Sequence, residues 1–231
     1  MVVALQRFPV KAMGVDPVAS VTVGANGLLG DREWAVYDAA GKLATGKHSR
    51  RFRRMDPVFT ASARRLGDST LVSLPDGATV VAGTPDADAA LSRHFGEPVT
   101  LRQETDVMHQ DGATLSVVGT ATLAELGAHE GDGRPLDPRH LRTNVVVATT
   151  DPFVEDGWLG RDVVIGDVVV RVTETTERCR MAGVAQVDLP ERPGMLKAIS
   201  ERHDLCAGVY ATVERPGSIS IGDRVTPGGL P

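Results

Sequence analysis

Cysteine is scarce in this chain: two residues in 231. Two thiols cannot build a disulfide framework, and they cannot fill a four-thiolate zinc or iron–sulfur site. Aromatic residues make up only 4%, so the core must be filled chiefly by aliphatic side chains. No apolar run approaches the roughly 18 residues that a membrane-spanning helix needs. The opening apolar stretch is cut by Arg7 and Lys11 and is too short for a secretory signal. An excess of positive charge is also missing: the formal net charge is −5, which argues against a general nucleic-acid binder. Gly24, Gly27 and Gly30 recur every third residue but do not form the dinucleotide-binding G-x-G-x-x-G pattern, and they read as a β-turn. No phosphate loop, no H-E-x-x-H metal motif and no G-x-S-x-G nucleophile elbow occurs. The expectation is a cytoplasmic globular protein that engages neither membrane nor nucleic acid. Its length allows one large domain or two small ones.

What the chain has is valine. Runs at 21–23, 145–147 and 163–170 favour strands, because β-branched side chains suit a pleated surface. With 25 glycines and 14 prolines there are many turns, signalled by Asn26-Gly27, Asp76-Gly77 and Gly166-Asp167. Three short helices are expected, over 84–95, 120–126 (stopping at Gly127) and 195–202. None is long, which excludes a helix bundle. The fold class is therefore mainly β with a few short helices. A break near 96–112 divides the chain into an N-terminal part, 1–95, and a second domain, 96–231. The breaker-rich tail after Val225 is expected to fray.

Several polar clusters could carry chemistry. The run 47–54 (KHSRRFRR) is basic in an acidic protein, and reads either as a solvated face or as a patch for an anionic ligand or acidic partner. In Glu177-Arg178-Cys179-Arg180 a cysteine lies between two arginines. Nearby positive charge favours a thiolate, which is both a nucleophile and a soft metal ligand. Local sequence leaves a second reading open, an inert buried thiol with both arginines on the opposite face of a strand. Cys206 has no charged neighbour after Asp204 and reads as core filler. Arg142-Thr143-Asn144 lies at the mouth of a valine strand, where the arginine offers a planar fork for phosphate or carboxylate.

In chain order these pieces resemble the MOSC family, named for the C-terminal domain of molybdenum cofactor sulfurase. The likeness is greatest to its two-part members related to the mitochondrial amidoxime-reducing component. Phe8-Pro9-Val10-Lys11 is similar to that family's Tyr-Pro-Val-Lys opening. Gly27-Leu28 and Asp31-Arg32-Glu33-Trp34 resemble its Gly-Leu…Asp-Arg-x-Trp segment. Thr120-Ala121-Thr122-Leu123, Leu141-Arg142-Thr143-Asn144-Val145, Arg178-Cys179, Gly208-Val209-Tyr210 and Ile221-Gly222-Asp223 resemble later motifs. The resemblance spans nearly the whole chain. It implies a MOSC-type β-barrel with an N-terminal β-rich lobe and a cofactor cleft between them.

By this resemblance the cofactor is the molybdenum cofactor, a pterin dithiolene carrying the metal and a phosphate, and Cys179 is both metal ligand and catalytic residue. Lys11, Arg32, Arg142 and Arg178 match positions around the pterin and its phosphate. Thr120, Thr122 and Asn144 match neutral hydrogen-bonding positions, and Tyr210 matches a position near the site. The family description also carries pyridoxal phosphate binding. Departures are Ala12 in place of a serine, Thr143 in place of a proline, and Glu177 where a small polar residue is common. The implied function is an oxidoreductase that removes oxygen from N-hydroxylated small molecules as molybdenum cycles between its +6 and +4 states. With two cysteines no internal iron–sulfur relay is possible, so a separate donor protein of flavoprotein, ferredoxin or cytochrome type is expected, docking at 47–54. His109 and Asp111 are candidate proton donors set against a solvated-loop reading. The alternative is a carrier that delivers cofactor, or sulfur held on Cys179, without turnover of its own; a molybdenum-free protein binding another anion is the third reading.

Overall fold

Hydrogen bonding sorts the strands into four sheets in the computed structural model, which describes residues 1–105, 108–131 and 133–228. The largest has eight strands, in the order Val225–Pro227, Asp162–Ile165, Val168–Glu177, Cys206–Arg215, Leu115–Gly119, Val145–Val147, Val2–Arg7 and Asp16–Val18. The valine runs are its interior. Val117, Val145, Val147, Val163, Val168, Val170 and Val209 are buried in one cluster. The expected 163–170 run is a hairpin turning at Gly166, whose positive φ suits glycine.

None of the four sheets closes on itself among the described residues. The pairing of Val168–Glu177 with Cys206–Arg215 shifts register three times, and such bulges bend a strand and increase its twist. The curled sheet is covered by a small one, Gly217–Ser220, Ser20–Gly24 and Gly27–Leu28. Val21, Val23, Leu28 and Ile219 from the small sheet bury themselves against the valines of the large one. The barrel-like interior is thus completed by side-chain packing rather than by continuous backbone pairing.

A second core lies under two further sheets. One comprises Val99–Gln103, Trp34–Asp38, Leu43–Thr45 and Phe52–Arg54, and the other Thr79–Val81, Ser69–Ser73 and Ser62–Leu66. Val10, Met13, Val36, Phe59 and Leu91 are among its buried residues. The chain passes between the two regions more than once: Val2–Arg7 pairs with Val145–Val147, whereas Val99–Gln103 pairs with Trp34–Asp38.

Helix α1 (Pro85–Phe95) is capped by Thr84, whose Oγ1 accepts from the Ala87 amide at 3.3 Å, and ends at Gly96 in the left-handed region. α2 (Thr120–Glu130) runs past Gly127, where the sequence signalled a stop, and is closed instead by Gly131. Gly127 serves packing rather than termination. A Cβ there would lie 1.9 Å from the Arg134 carbonyl oxygen, where the chain recrosses the helix and the Leu136 amide donates to Leu123 at 2.8 Å. The short α3 (Pro138–Leu141), capped by Asp137, was not signalled by apolar periodicity; α4 (Met195–His203) lies where it was expected. Part of the tail expected to fray is an edge strand, Val225–Pro227, paired with Asp162–Ile165; an edge tolerates its proline because no ladder amide is needed there. Among the described residues no helix is long and apolar enough to cross a membrane.

Gly127→Ala should destabilise the fold by about 1–3 kcal/mol, as overpacking does. Gly157→Ala, with nothing within 4 Å of the added carbon, should change stability by about 0.5 kcal/mol or less. Denaturant midpoints of the two variants check this; equal midpoints would contradict the packing assignment.

Candidate functional site

A cleft of about 320 Å³ is lined from both regions of the fold, within the range of small-molecule sites. Lys11, Arg32 and Lys47 contribute from the N-terminal part, and Arg142, Arg178, Cys179 and Tyr210 from the second. Asp111 and Glu177 are its only carboxylates among the described residues.

Each cation is fixed differently. Lys11 follows the first strand, and its amide donates to Trp34 at 2.8 Å. Its buried ammonium donates to the His109 carbonyl at 2.6 Å and to Asp111 at 3.1 Å. Desolvation lowers its pKa to about 8, against the opposing pull of Asp111. Asp111 also holds Lys47, at 3.2 Å. Burial pushes the Asp111 carboxyl up, but Lys11 and Lys47 outweigh it and leave the pKa at about 2. Arg32 pairs with Asp31 and donates to the Arg142 carbonyl at 2.9 Å. Arg142 donates to the Met13 carbonyl at 2.7 Å and to Gln186 at 3.1 Å. Its Nη2 is sealed from solvent without a partner among the described residues, and desolvation first, then Arg32, lowers its pKa to about 9. Phe8 holds both guanidinium groups, 5.1 Å and 4.3 Å from its ring centre. Ala12, Arg32 and Arg142 all sit at positive φ on the cleft wall, the kind of local strain that functional sites concentrate.

Arg178 behaves otherwise. Its Nε donates to Ala207 O at 2.8 Å and its Nη1 to Leu141 O at 2.6 Å, while its own amide donates to Leu205 O at 2.8 Å. Burial lowers its pKa to about 10. Arg178 is half-buried on the cleft wall, and its neighbours Glu177 and the extended Cys179 are both exposed and line the same cleft. The buried-thiol reading of Cys179 is therefore excluded, and Arg178 spends its hydrogen bonds on carbonyls. Glu177 does not pair with it; among the described residues no hydrogen bond or ion pair engages the Glu177 carboxylate.

The other expected site residues divide. Tyr210 is half-buried on the cleft wall. Asn144 lines a recess of about 30 Å³ that shares Arg32, Asp111, Ser116 and Tyr210 with the cleft. Its amide is already committed: Oδ1 accepts from Ser116 Oγ at 3.0 Å, and Nδ2 donates to Gln6 O at 3.2 Å. Thr120 and Thr122 lie outside both cavities. Thr120 exchanges hydrogen bonds with the Thr149 backbone, and Thr122 donates to buried Glu155 at 2.8 Å. They brace the start of α2.

His109 is neither a solvated loop residue nor suited to donate a proton. It is fully buried between the Tyr37 hydroxyl and the Arg32 carbonyl, each at 2.9 Å. Desolvation holds its pKa at about 4. Asp111, with its low pKa, is likewise not an acid at neutral pH. Cys206 is half-buried rather than core filler, and its sulfur accepts from Thr175 at 3.4 Å. Much of the basic run is internally neutralised: Arg53 pairs with Glu97 at 2.8 Å and Arg54 with Asp56 at 2.7 Å. Arg50 is exposed and pairs with no acid among the described residues. Sequence reading missed Gly46, Ser116, His140 and Met181 on the cleft wall. None of them left a sequence signal; the reason for glycine at 46, where a Cβ would lie 2.3 Å from the Met181 sulfur, is a contact that only the fold creates.

The arrangement can hold an anion and present a thiol beside it. Among the described residues no three His, Cys, Asp or Glu side chains converge on one point. A metal at Cys179 would therefore have to bring most of its ligands with it.

Comparison with known proteins identifies the family. The MOSC domain pattern matches residues 93–226, and that of the MOSC N-terminal beta barrel domain matches residues 1–111. The chain belongs to the MOSC family. It is 23% identical to mouse (Mus musculus) mitochondrial amidoxime-reducing component 1, covering 97% of this chain and 81% of that protein. It is 24% identical to zebrafish (Danio rerio) molybdenum cofactor sulfurase over 95% of this chain, but spans only 33% of the sulfurase. Among solved structures the YUAD protein from Bacillus subtilis shares the fold, with a TM-score of 0.53 at 13% identity, covering 97% of this chain and 92% of that one.

The Lys11 charge gives a pH signature. Sulfate keeps one charge state at neutral and mildly basic pH, so any change in its binding reports on the protein. Its affinity should fall as pH rises through about 8, where Lys11 loses its proton. Lys11→Met should flatten that fall in a calorimetric titration; a wild-type affinity independent of pH would contradict the assignment.

Proposed function

We propose that this chain binds the molybdenum cofactor in the cleft and reduces N-hydroxylated small molecules with electrons from a separate donor protein. One observation carries the reading. The exposed thiol of Cys179 shares a cation-lined cleft with Arg142, whose Nη2 is sealed from solvent and has no acceptor among the described residues. A buried donor without a partner is costly, and an anionic group would complete it. The residues fit the group: a soft sulfur for a soft metal, and five cations against two carboxylates for a phosphate.

Bound there, the cofactor would supply the two-electron redox chemistry. The protein's part is ligation and orientation. Cys179 would hold the metal. Arg142, Arg32 and Lys11 would hold the phosphate, with Phe8 keeping the two guanidinium groups in place before it arrives. Asp111 now occupies Lys11 and Lys47, and an incoming phosphate would compete for both. For the donor, Arg50 is an exposed cation of the basic run that pairs with no acid among the described residues. Arg50→Glu should slow donor-driven turnover more than dye-driven turnover, and equal slowing would remove the docking role.

A second reading keeps the same cleft but no turnover. It draws on the sulfurase relative and on the absence of any partner for the Cys179 sulfur among the described residues, which leaves that sulfur free to carry a persulfide. Purification from a cofactor-competent host separates these. Wild type should retain molybdenum and pterin, Cys179→Ala should lose the metal, and Arg142→Met should weaken retention by about tenfold or more, as expected when a charged hydrogen bond is lost. Loaded protein that reduces an amidoxime with an artificial reductant is the enzyme; loaded protein that does not is the carrier. Wild type without molybdenum would overturn both.

A further inference from the structure

The Glu177 carboxylate is the one acidic group of the cleft that nothing in the fold accounts for. The other, Asp111, is held by Lys11 and Lys47. Glu177 does not brace the strand or neutralise its neighbour, because Arg178 is directed away from it into the Ala207 and Leu141 carbonyls. Side chains two apart on extended backbone share a face, so the carboxylate stands on the same wall as the Cys179 sulfur. None of the surrounding cations pairs with it among the described residues: Lys11 and Lys47 share Asp111, Arg32 pairs with Asp31, Arg142 donates to Met13 and Gln186, and Arg178 donates to carbonyls.

Resting on the cofactor-cleft reading, we propose that Glu177 is a specificity-determining residue that makes this cleft select cationic N-oxygenated compounds and the amidinium products of their reduction. Reducing an amidoxime consumes two electrons from the donor and two protons from solvent. The N–O bond breaks, the oxygen leaves as water, and the amidine that remains takes up a proton at neutral pH. A carboxylate beside the metal ligand attracts that cation and repels an anion of similar shape such as benzoate. Its reach is short, since an exposed ion pair in water contributes little beyond direct contact. Selection therefore acts on charge next to the reacting nitrogen and not on charge at a distance.

Benzamidine and benzamide, a cation and a neutral isostere, test this by calorimetry on the purified protein. Molybdenum is measured in the same preparations. Wild type should bind benzamidine more tightly than benzamide. Glu177→Gln should reduce that affinity ratio about fivefold, the scale of a partly exposed ion pair, and Glu177→Lys should invert it. Added salt should narrow the wild-type ratio and leave that of Glu177→Gln unchanged. A ratio that is the same in wild type and both variants, in protein with unchanged melting behaviour, would overturn the role of Glu177 and leave the cofactor reading standing. Wild type without molybdenum would instead overturn the cofactor reading. The benzamidine-to-benzamide ratios of wild type and the two variants would still decide the role of Glu177 at the same cleft.

Discussion

The inward turn of the Arg178 guanidinium organises this cleft. Its donors reach the Ala207 carbonyl on one long strand and the Leu141 carbonyl at the end of α3. It thereby joins the last turn before Arg142 to the strand that precedes Cys179. A charged group in that position is desolvated, which is unfavourable unless its donors are satisfied. The carbonyls satisfy them, and Glu177 and Cys179, exposed on either side of it, line the cleft with it. An arginine beside a cysteine reads locally as a charge that activates a thiol. Here its first effect is geometric.

The cleft's remaining cations show a division of labour. Arg32 and Arg142 are stacked on Phe8, and the Arg32 guanidinium donates to the Arg142 carbonyl. Lys11 is held by the carbonyl of His109, whose ring in turn holds the Arg32 backbone. Binding an anion here requires little reordering of side chains, which preserves affinity that flexible lysines and arginines would lose. The negative overall charge of the chain is no obstacle, because the field at a cleft is set by the groups that line it.

How much of this could be read from sequence depends on the range of the interaction. The strands follow from local rules, because a valine run favours a pleated surface wherever it occurs. Cys179, Lys11, Arg32 and Arg142 emerged from the order of motifs, and the fold brings them to one cleft. Phe8 was quoted as part of an opening motif, but its role as a platform for two arginines required the contact itself. Gly127 looked like a helix stop because glycine often is one; only the crossing of the chain at Arg134 shows that it spares space. Thr120, Thr122 and His109 were misplaced for one reason. A hydroxyl or imidazole carries the same chemistry whether it faces a cleft or braces the interior, and only long-range partners such as Glu155 or Tyr37 decide which.

The account rests on Cys179 facing the cleft as the protein's ligand to a metal that arrives within its own organic group. X-ray absorption at the molybdenum edge, on loaded protein, reads the sulfur atoms around the metal directly. The account predicts that Cys179→Ala, reloaded with cofactor, shows one sulfur fewer than wild type. An identical sulfur shell in the two proteins would contradict it.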